Sequence, residues 1–386
     1  MNKSKNLRIA LLLPSVELGA YWQPVLHSLR NIYHETILYT GRVWPNFDTT
    51  APSAEAIELV GKVQLLETQK VSKGYNQVFI LLSPNIIGRL LDFKPDVIFA
   101  SSYSLWTLFA LLFKPLGRWQ LVIAYEGSAP NVDHRNSKFR TFIRWLISRF
   151  SDAFITNSNE GKKYLVDVLG VNPSHIFAQP YMVPESEALL QKVRESSSSV
   201  CQKTQHPVFL YVGRLEARKG IDLLLQSCAI LKQRGYENYQ LQIIGTGPQK
   251  DELRNFVENQ GLADNIQWIG WVDYGQLGEY FNHADVFVFP SLEDTWGMVV
   301  LEAMAFGKPV VCSQWAGASE MVVSQKNGYV FDPYNPSELA DMMARLIENP
   351  DLVVSMGQQS REIIAQHTPE TAAQLFADVT SFVLQK

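Results

Sequence analysis

The chain has 386 residues, 46% hydrophobic and 19% charged, with a formal net charge of −4. That length exceeds one ordinary core, so two domains are expected, and the negative charge argues against a nucleic-acid binder. The charge is uneven: residues 1–185 carry 19 Lys and Arg against 14 Asp and Glu (+5), and residues 186–386 carry 15 against 24 (−9). The basic half suits an anionic acceptor or an anionic membrane surface, or is an ordinary solvated surface. Cys201, Cys228 and Cys312 fit neither a disulfide framework nor a zinc spacing and imply a reducing compartment. No HExxH or Cys/His cluster occurs, so no protein-held metal is expected.

Lys3, Lys5 and Arg8 precede the apolar run Ile9–Leu13, which is too short for a signal peptide and reads as a first buried parallel strand. The loop after it carries a single glycine, Gly19. A helix is expected over Trp22–Ile32, a strand over Glu35–Leu38, a helix over Gln77–Phe93 and a strand over Val97–Ala100. The uncharged run Val97–Phe113 falls short of the ~20 apolar residues of a membrane-spanning helix and ends in a helix from Leu105. Next come the strand Gln120–Ala124, a helix to Phe150, the strand Ala153–Thr156 and a helix over Glu160–Leu169. Strands alternating with helices imply a parallel sheet covered on both faces. The segment His134–Phe150 is a basic amphipathic helix. Phe139, Phe142, Ile143, Leu146 and Phe150 share one face, flanked by Lys138, Arg140, Arg144 and Arg149. That face either packs on the sheet or docks on an anionic membrane.

Residues 186–205, with the run Ser196–Ser199, read as a linker. The alternation then resumes. Strands are expected at Val208–Val212, Gln240–Ile244, Ile266–Trp268, Val286–Phe289 and Gly328–Phe331, with helices between them and three more at the C-terminal end. After Val286–Phe289 comes the acidic turn Glu293-Asp294-Thr295, then a helix over Met298–Phe306 stopped by Gly307, a suitable C′ residue. This helix is apolar all round and therefore buried, and Glu302 is its only charge. A buried carboxylate is costly without donors, and no cation sits at a neighbouring helical position. The donor comes from elsewhere in the fold or from a ligand. The helix start at Thr295, Trp296, Gly297 and Met298 offers N–H groups and a positive dipole end, which suits phosphate. A sugar diol on Glu302 with a diphosphate at that helix start describes a nucleoside diphosphate. Arg214 and Lys219, between a strand and a helix N-terminus, oppose the dipole, as expected where an anion binds. Gly245 and Gly247 form a GxG after a strand, weak evidence alone.

The acids Asp294 and Glu302, inside PSLEDTWGMVVLEAMAFGKPVV, together with GRLEARKG at Gly213–Gly220, resemble the retaining nucleotide-sugar glycosyltransferases of family four. That resemblance implies the α/β GT-B fold, two doubly wound Rossmann-like domains facing across a cleft. Residues 1–185 would hold the acceptor, 206–368 the nucleotide-sugar donor, and the helix 369–386 would cross back to the first domain. By the same resemblance Arg214 and Lys219, with Gly213 between strand and turn, hold the diphosphate and stabilise the leaving group. Gly245 and Gly247 let backbone approach the nucleotide, and the Val272 backbone reads the base. Asp294, where most members have Glu, reaches donor-sugar hydroxyls; the alternative for Asp294 or Thr295 is helix capping. Glu302 holds the ribose and Gly19 contributes N–H groups to the diphosphate.

Three departures stand out: the single glycine of the first loop, Glu126 where many members have His or Asp, and no Asn-Gly pair in Gln179–Pro184. Glu126 is the acceptor-side candidate. The implied activity is retaining sugar transfer by front-face attack in polysaccharide or glycolipid assembly, with no metal or other cofactor. The implied partners are a nucleotide sugar and an acceptor glycan or lipid-linked sugar. The expected location is cytoplasmic, peripheral at the inner membrane face through 134–150. The alternatives are a GT-B nucleotide-sugar epimerase and a catalytically silent nucleotide-sugar-binding subunit.

Overall fold

The computed structural model describes residues 7–385 except 15–18, 45–46, 48, 52, 70–76, 127–129, 134, 136 and 196–205. Cys201 and the loop just before Gly19 fall outside the described residues. The chain forms two units. One comprises the described residues up to Val183 and the segment from His367 on; the other is Pro184–Gln366.

The first unit begins with β1 (Ile9–Leu12), α1 (Gly19–Ile32), β2 (Thr36–Thr40), β3 (Ile57–Leu59), β4 (Gln64–Gln69), β5 (Gln77–Leu81) and α2 (Ile86–Phe93). It continues with β6 (Val97–Ser101), α3 (Leu105–Gly117), β7 (Gln120–Tyr125), α4 (Pro130–Asp133), α5 (Lys138–Phe150), β8 (Ala153–Thr156), α6 (Asn159–Lys163) and β9 (Ile176–Ala178). Seven parallel strands pair in the order β3-β2-β1-β6-β7-β8-β9, and β4 and β5 form a separate antiparallel pair. All four residues of β1 are buried, as a strand covered on both faces requires. The last helix, α14 (Pro369–Leu384), belongs to this unit and packs on α1. Thr368 and Thr371 cap it reciprocally. Its Phe376 meets Phe99 of β6, Tyr181 and Trp22 at centroid distances of 4.7, 5.9 and 6.0 Å.

Two expectations in this unit are corrected. The helix expected over Gln77–Phe93 is β5 followed by α2. Ser83-Pro84-Asn85 separates them, because proline disfavours helix in the residue before it. The shared apolar face of α5 does not pack inward: Phe139, Phe142, Leu146 and Phe150 are exposed, and Ile147 faces the core with Ile143 half-buried. Arg144 points inward. It donates to the carbonyls of Val132 and Asp133 and to Tyr164 Oη at 3.0, 2.8 and 3.0 Å, and its guanidinium lies over the Tyr103 ring. Those bonds turn the polar side of the helix toward the protein.

The second unit contains α7 (Ser186–Glu195), β10 (Val208–Val212), α8 (Ile221–Gln233), β11 (Gln240–Ile244), α9 (Lys250–Asn259), β12 (Ile266–Gly270) and α10 (Tyr274–His283). After these come β13 (Val286–Phe289), α11 (Met298–Ala305), β14 (Val310–Ser313), β15 (Gly328–Phe331), α12 (Pro336–Glu348) and α13 (Pro350–Ile364). Its six strands are parallel in the order β12-β11-β10-β13-β14-β15. Residues 186–195, expected as linker, form α7 and pack against α10 and α11, with Val193 occupying the space a Cβ on Gly278 would need.

Lys308, between α11 and β14, donates to the Asn282 carbonyl at 3.1 Å. Burial lowers its pKa to about 8, against a weaker opposing pull from Asp285. In the unfolded chain it titrates at the ordinary, higher value, so the folded form holds fewer protons between the two and stability rises with pH there. Lys308→Met is therefore expected to gain most, relative to the parent protein, below pH 8, with the gain shrinking as pH rises above it. Urea midpoints at several pH values measure this.

Candidate functional site

In the second unit β10 pairs with β11 on one side and β13 on the other. The strand order reverses between β10 and β13, and in doubly wound sheets ligands bind beyond the carboxyl ends of the strands at that point. The loops leaving those two strands are Gly213–Gly220 and Pro290–Gly297. The chain order alone thus brings the expected basic and acidic residues to one place.

The two loops are tied together by backbone. Gly220, with φ +65°, closes the single turn Ala217–Lys219 and starts α8, and a Cβ there would meet the Pro290 carbonyl oxygen at 2.2 Å. The Leu292 N–H donates to the Arg218 carbonyl at 2.8 Å. On this frame Lys219 Nζ donates to Asp294 Oδ2 at 2.5 Å and lies 5.3 Å from the Phe289 ring centroid. Arg218 bonds Glu216 Oε1 at 2.8 Å and the Glu293 carbonyl at 3.3 Å, with Asp294 Oδ2 at 3.7 Å. Arg214 pairs with the other oxygen of Glu216 at 3.4 Å, and its side chain is 71% exposed. The network joins three cations to two carboxylates, and the Lys219 and Asp294 side chains are only 13% and 10% exposed. An ammonium has three N–H groups, so one bond to Asp294 leaves Lys219 capacity for an anion.

Arg218, which the sequence does not single out, braces the acidic turn. Nothing in the spacing separates Arg218 from Arg214; only the turn, closed by Gly220, points Arg218 at Glu293.

The acidic turn is held from its other side as well. The Asp294 N–H donates to the Trp315 carbonyl at 3.2 Å, and the Gly317 and Ala318 N–H groups donate to Asp294 and Trp296 carbonyls at 3.1 and 2.7 Å. Trp296 and Met298 are buried and Thr295 half-buried. The N-cap of α11 is Gly297, with φ +106°, and no side chain caps it. Capping was the alternative role of Asp294 and Thr295, and neither residue holds that position.

Glu302, 3% exposed, accepts from Tyr274 Oη at 2.7 Å. Tyr274 opens α10 directly after the loop that carries Val272, which is half-buried. The fold thus supplies a donor to this buried acid and links it to the loop expected to read the base. Tyr274 was not anticipated: the two residues are 28 positions apart and no motif joins them.

Gly213, Gly245 and Gly247 lie together at the carboxyl edge of β10 and β11. A Cβ on Gly245 would fall 1.8 Å from the Gly213 carbonyl oxygen, and one on Gly247 would fall 2.3 Å from that of Leu215. Loop packing on loop accounts for these two glycines.

Gly19 and Glu126 belong to the first unit. Gly19 is the first residue of α1. Glu126, just past β7, is half-buried, with Ser101 Oγ donating to Oε1 at 3.2 Å and Asn157 Nδ2 to its carbonyl at 3.2 Å. Beside it Tyr125 donates to Asp133, and burial followed by the Asp133 charge pushes the phenol pKa well up. Among the described residues no group of three or more His, Cys, Asp or Glu could hold a metal ion, and no helix is long and apolar enough to cross a membrane.

Two doubly wound units, each built on a parallel sheet, with a basic turn and an acidic turn meeting at the switch point of the second, define the GT-B class. Solved structures agree at the level of fold. Anabaena HepE in complex with UDP aligns with TM-score 0.75 at 18% identity over 97% of this chain and 100% of that one. WaaG, a glycosyltransferase involved in lipopolysaccharide biosynthesis, aligns with TM-score 0.63 at 16% identity over 96% and 99%.

Residues 29–186 match the family described as Glycosyltransferase Family 4 and residues 193–363 the family described as Glycosyl transferases group 1. The chain belongs to this glycosyltransferase family. Among curated relatives, the D-inositol 3-phosphate glycosyltransferase 2 of Catenulispora acidiphila is 26% identical over 60% of this chain and 56% of its own length. The GDP-mannose-dependent alpha-(1-6)-phosphatidylinositol monomannoside mannosyltransferase of Mycobacterium tuberculosis is 33% identical over 45% and 47%. The alpha-D-kanosaminyltransferase of Streptomyces kanamyceticus is 29% identical over 43% and 43%. The matches to these relatives thus span about half of their length.

Proposed function

We propose that the protein is a retaining glycosyltransferase that moves a sugar from a nucleoside-diphosphate sugar to an acceptor hydroxyl, in polysaccharide or glycolipid assembly. The observation that carries this reading is the convergence of Lys219, Asp294 and the start of α11 on the switch point of the second sheet.

The diphosphate lies against the Lys219 ammonium and the N-terminus of α11, with Arg214 closing on it from the exposed side. Glu302, steadied by Tyr274, accepts from the ribose hydroxyls, and the backbone at Val272 meets the base. Asp294 accepts from donor-sugar hydroxyls. In the reaction the anomeric carbon–oxygen bond breaks and its electron pair leaves on the diphosphate. The acceptor oxygen bonds the same face of the sugar, and its proton passes to the departing phosphate oxygen. Positive groups placed in advance where that charge develops lower the barrier. This chemistry calls for no protein nucleophile and no metal. Glu126, on the first unit, is the acceptor-side group.

Thermal unfolding with UDP, GDP, ADP and CDP in turn tests the reading. One of them at a hundredfold excess over its Kd is expected to stabilise the protein by about 2.7 kcal/mol, several degrees in Tm for a unit of this size. A flat response to all four would refute donor binding.

A further inference from the structure

The exposed residues of α5 are five large apolar side chains, Phe139, Phe142, Trp145, Leu146 and Phe150, and two cations, Lys138 and Arg149. Phe139 is 74% exposed, Phe150 58% and Phe142 55%, and the Phe142 ring stacks on Trp145 at 5.8 Å. The neighbouring helix α3 adds Leu112 and Leu116, 63% and 68% exposed. Between the two helices runs a groove of about 710 Å³, lined by Leu108, Pro115, Ile143 and Ile147 among others and reaching Lys114 and Arg118. Lys114 is held by Asp152 at 2.6 Å, whereas the Arg118 residue is exposed. Neither α3 nor α5 contains an acidic residue.

A helix normally turns its polar side to water. Here Arg144 and Ser148 face the protein, bonded to Tyr164 and Tyr103, and the aromatic side faces out. An apolar patch of this kind with a basic fringe marks an interaction surface. Its charge selects the occupant. A second copy docked through the same face about a two-fold axis would set Lys138 and Arg149 near like charges. An anionic lipid surface instead takes the aromatic rings into its acyl boundary and pairs the cations with headgroup phosphates.

We infer that α5, with the groove it shares with α3, seats the first unit on an anionic lipid bilayer, the helix lying in the interfacial plane and the groove open to acyl chains. The inference goes beyond the sugar-transfer reading and stands on the first unit alone, so it is tested with no nucleotide sugar present.

The full chain is floated with vesicles of phosphatidylcholine alone and with vesicles of equal parts phosphatidylcholine and phosphatidylglycerol. Binding to the second and not the first is expected. Phe142→Ser with Trp145→Ser, both exposed positions, is expected to lower binding about tenfold or more. Lys138→Glu with Arg149→Glu is expected to lower it on the order of tenfold. Circular dichroism of each variant matching the parent protein secures the fold. Equal binding to both vesicles, binding untouched by either pair of substitutions, or a dimer in light scattering that Phe142→Ser with Trp145→Ser dissolves would each overturn the proposal.

Discussion

Lys219→Ala is expected to lower kcat/KM for sugar transfer by ~10²-fold or more, the scale of one lost contact to charge developing in the transition state. The same substitution is expected to destabilise the second unit. Asp294 is 8% exposed and its bond to Lys219 is 2.5 Å long; the nearer of the remaining cations, Arg218, stands at 3.7 Å. Removing one partner of a buried pair leaves a charge short of compensation, at about 3 kcal/mol. Two effects in one variant call for a second construction to separate them. Lys219→Met combined with Asp294→Asn removes both charges and is expected to recover most of the lost Tm while leaving turnover as low as in Lys219→Ala. If the double variant regained both stability and rate, Lys219 would be only a structural partner of Asp294 and its assignment to the leaving diphosphate would be wrong.

The second large effect is expected at Glu302. Glu302→Ala takes away the acceptor proposed for the ribose and leaves Tyr274 Oη without its 2.7 Å partner. We expect ~10²-fold or more in kcat/KM, with weaker binding of the nucleoside diphosphate by calorimetry. Tyr274→Phe keeps the carboxylate and removes only the hydroxyl, and its loss is expected to fall mainly on KM, about tenfold, the scale of one hydrogen bond to a charged group. A Glu302→Ala protein that binds the diphosphate as tightly as the parent would place the ribose elsewhere.

The central strands of both sheets were legible because they are apolar runs, the mark of a strand covered on two faces; the three-residue edge strands β3 and β9 were not expected. The site was legible where its residues are close in sequence: Arg214 and Lys219 flank one turn, and Asp294 and Glu302 flank the start of α11. What escaped the sequence depends on partners far along the chain. Tyr274 reaches Glu302 from 28 positions away, and Arg218 reaches the Glu293 carbonyl from 75. Helical periodicity placed Phe139, Phe142, Leu146 and Phe150 on one face of α5 but could not say which way that face looks. Arg144 decides that through three bonds, to Val132, Asp133 and Tyr164, that no local pattern announces. The break between β5 and α2 was written in Ser83-Pro84-Asn85, and the apolar residues on either side of it masked the signal.

The return of α14 to the first unit has a consequence for how the polypeptide matures. Phe376 fills the space among Trp22, Phe99 and Tyr181, aromatic side chains that leave the ribosome long before it does. Among the described residues the second unit is the stretch Pro184–Gln366, which can close once it has emerged. The first unit, although begun earlier, must wait until Pro369–Leu384 has been made. Premature termination ahead of Pro369 should therefore yield a finished C-terminal half joined to an N-terminal half that remains open to chaperones and proteases.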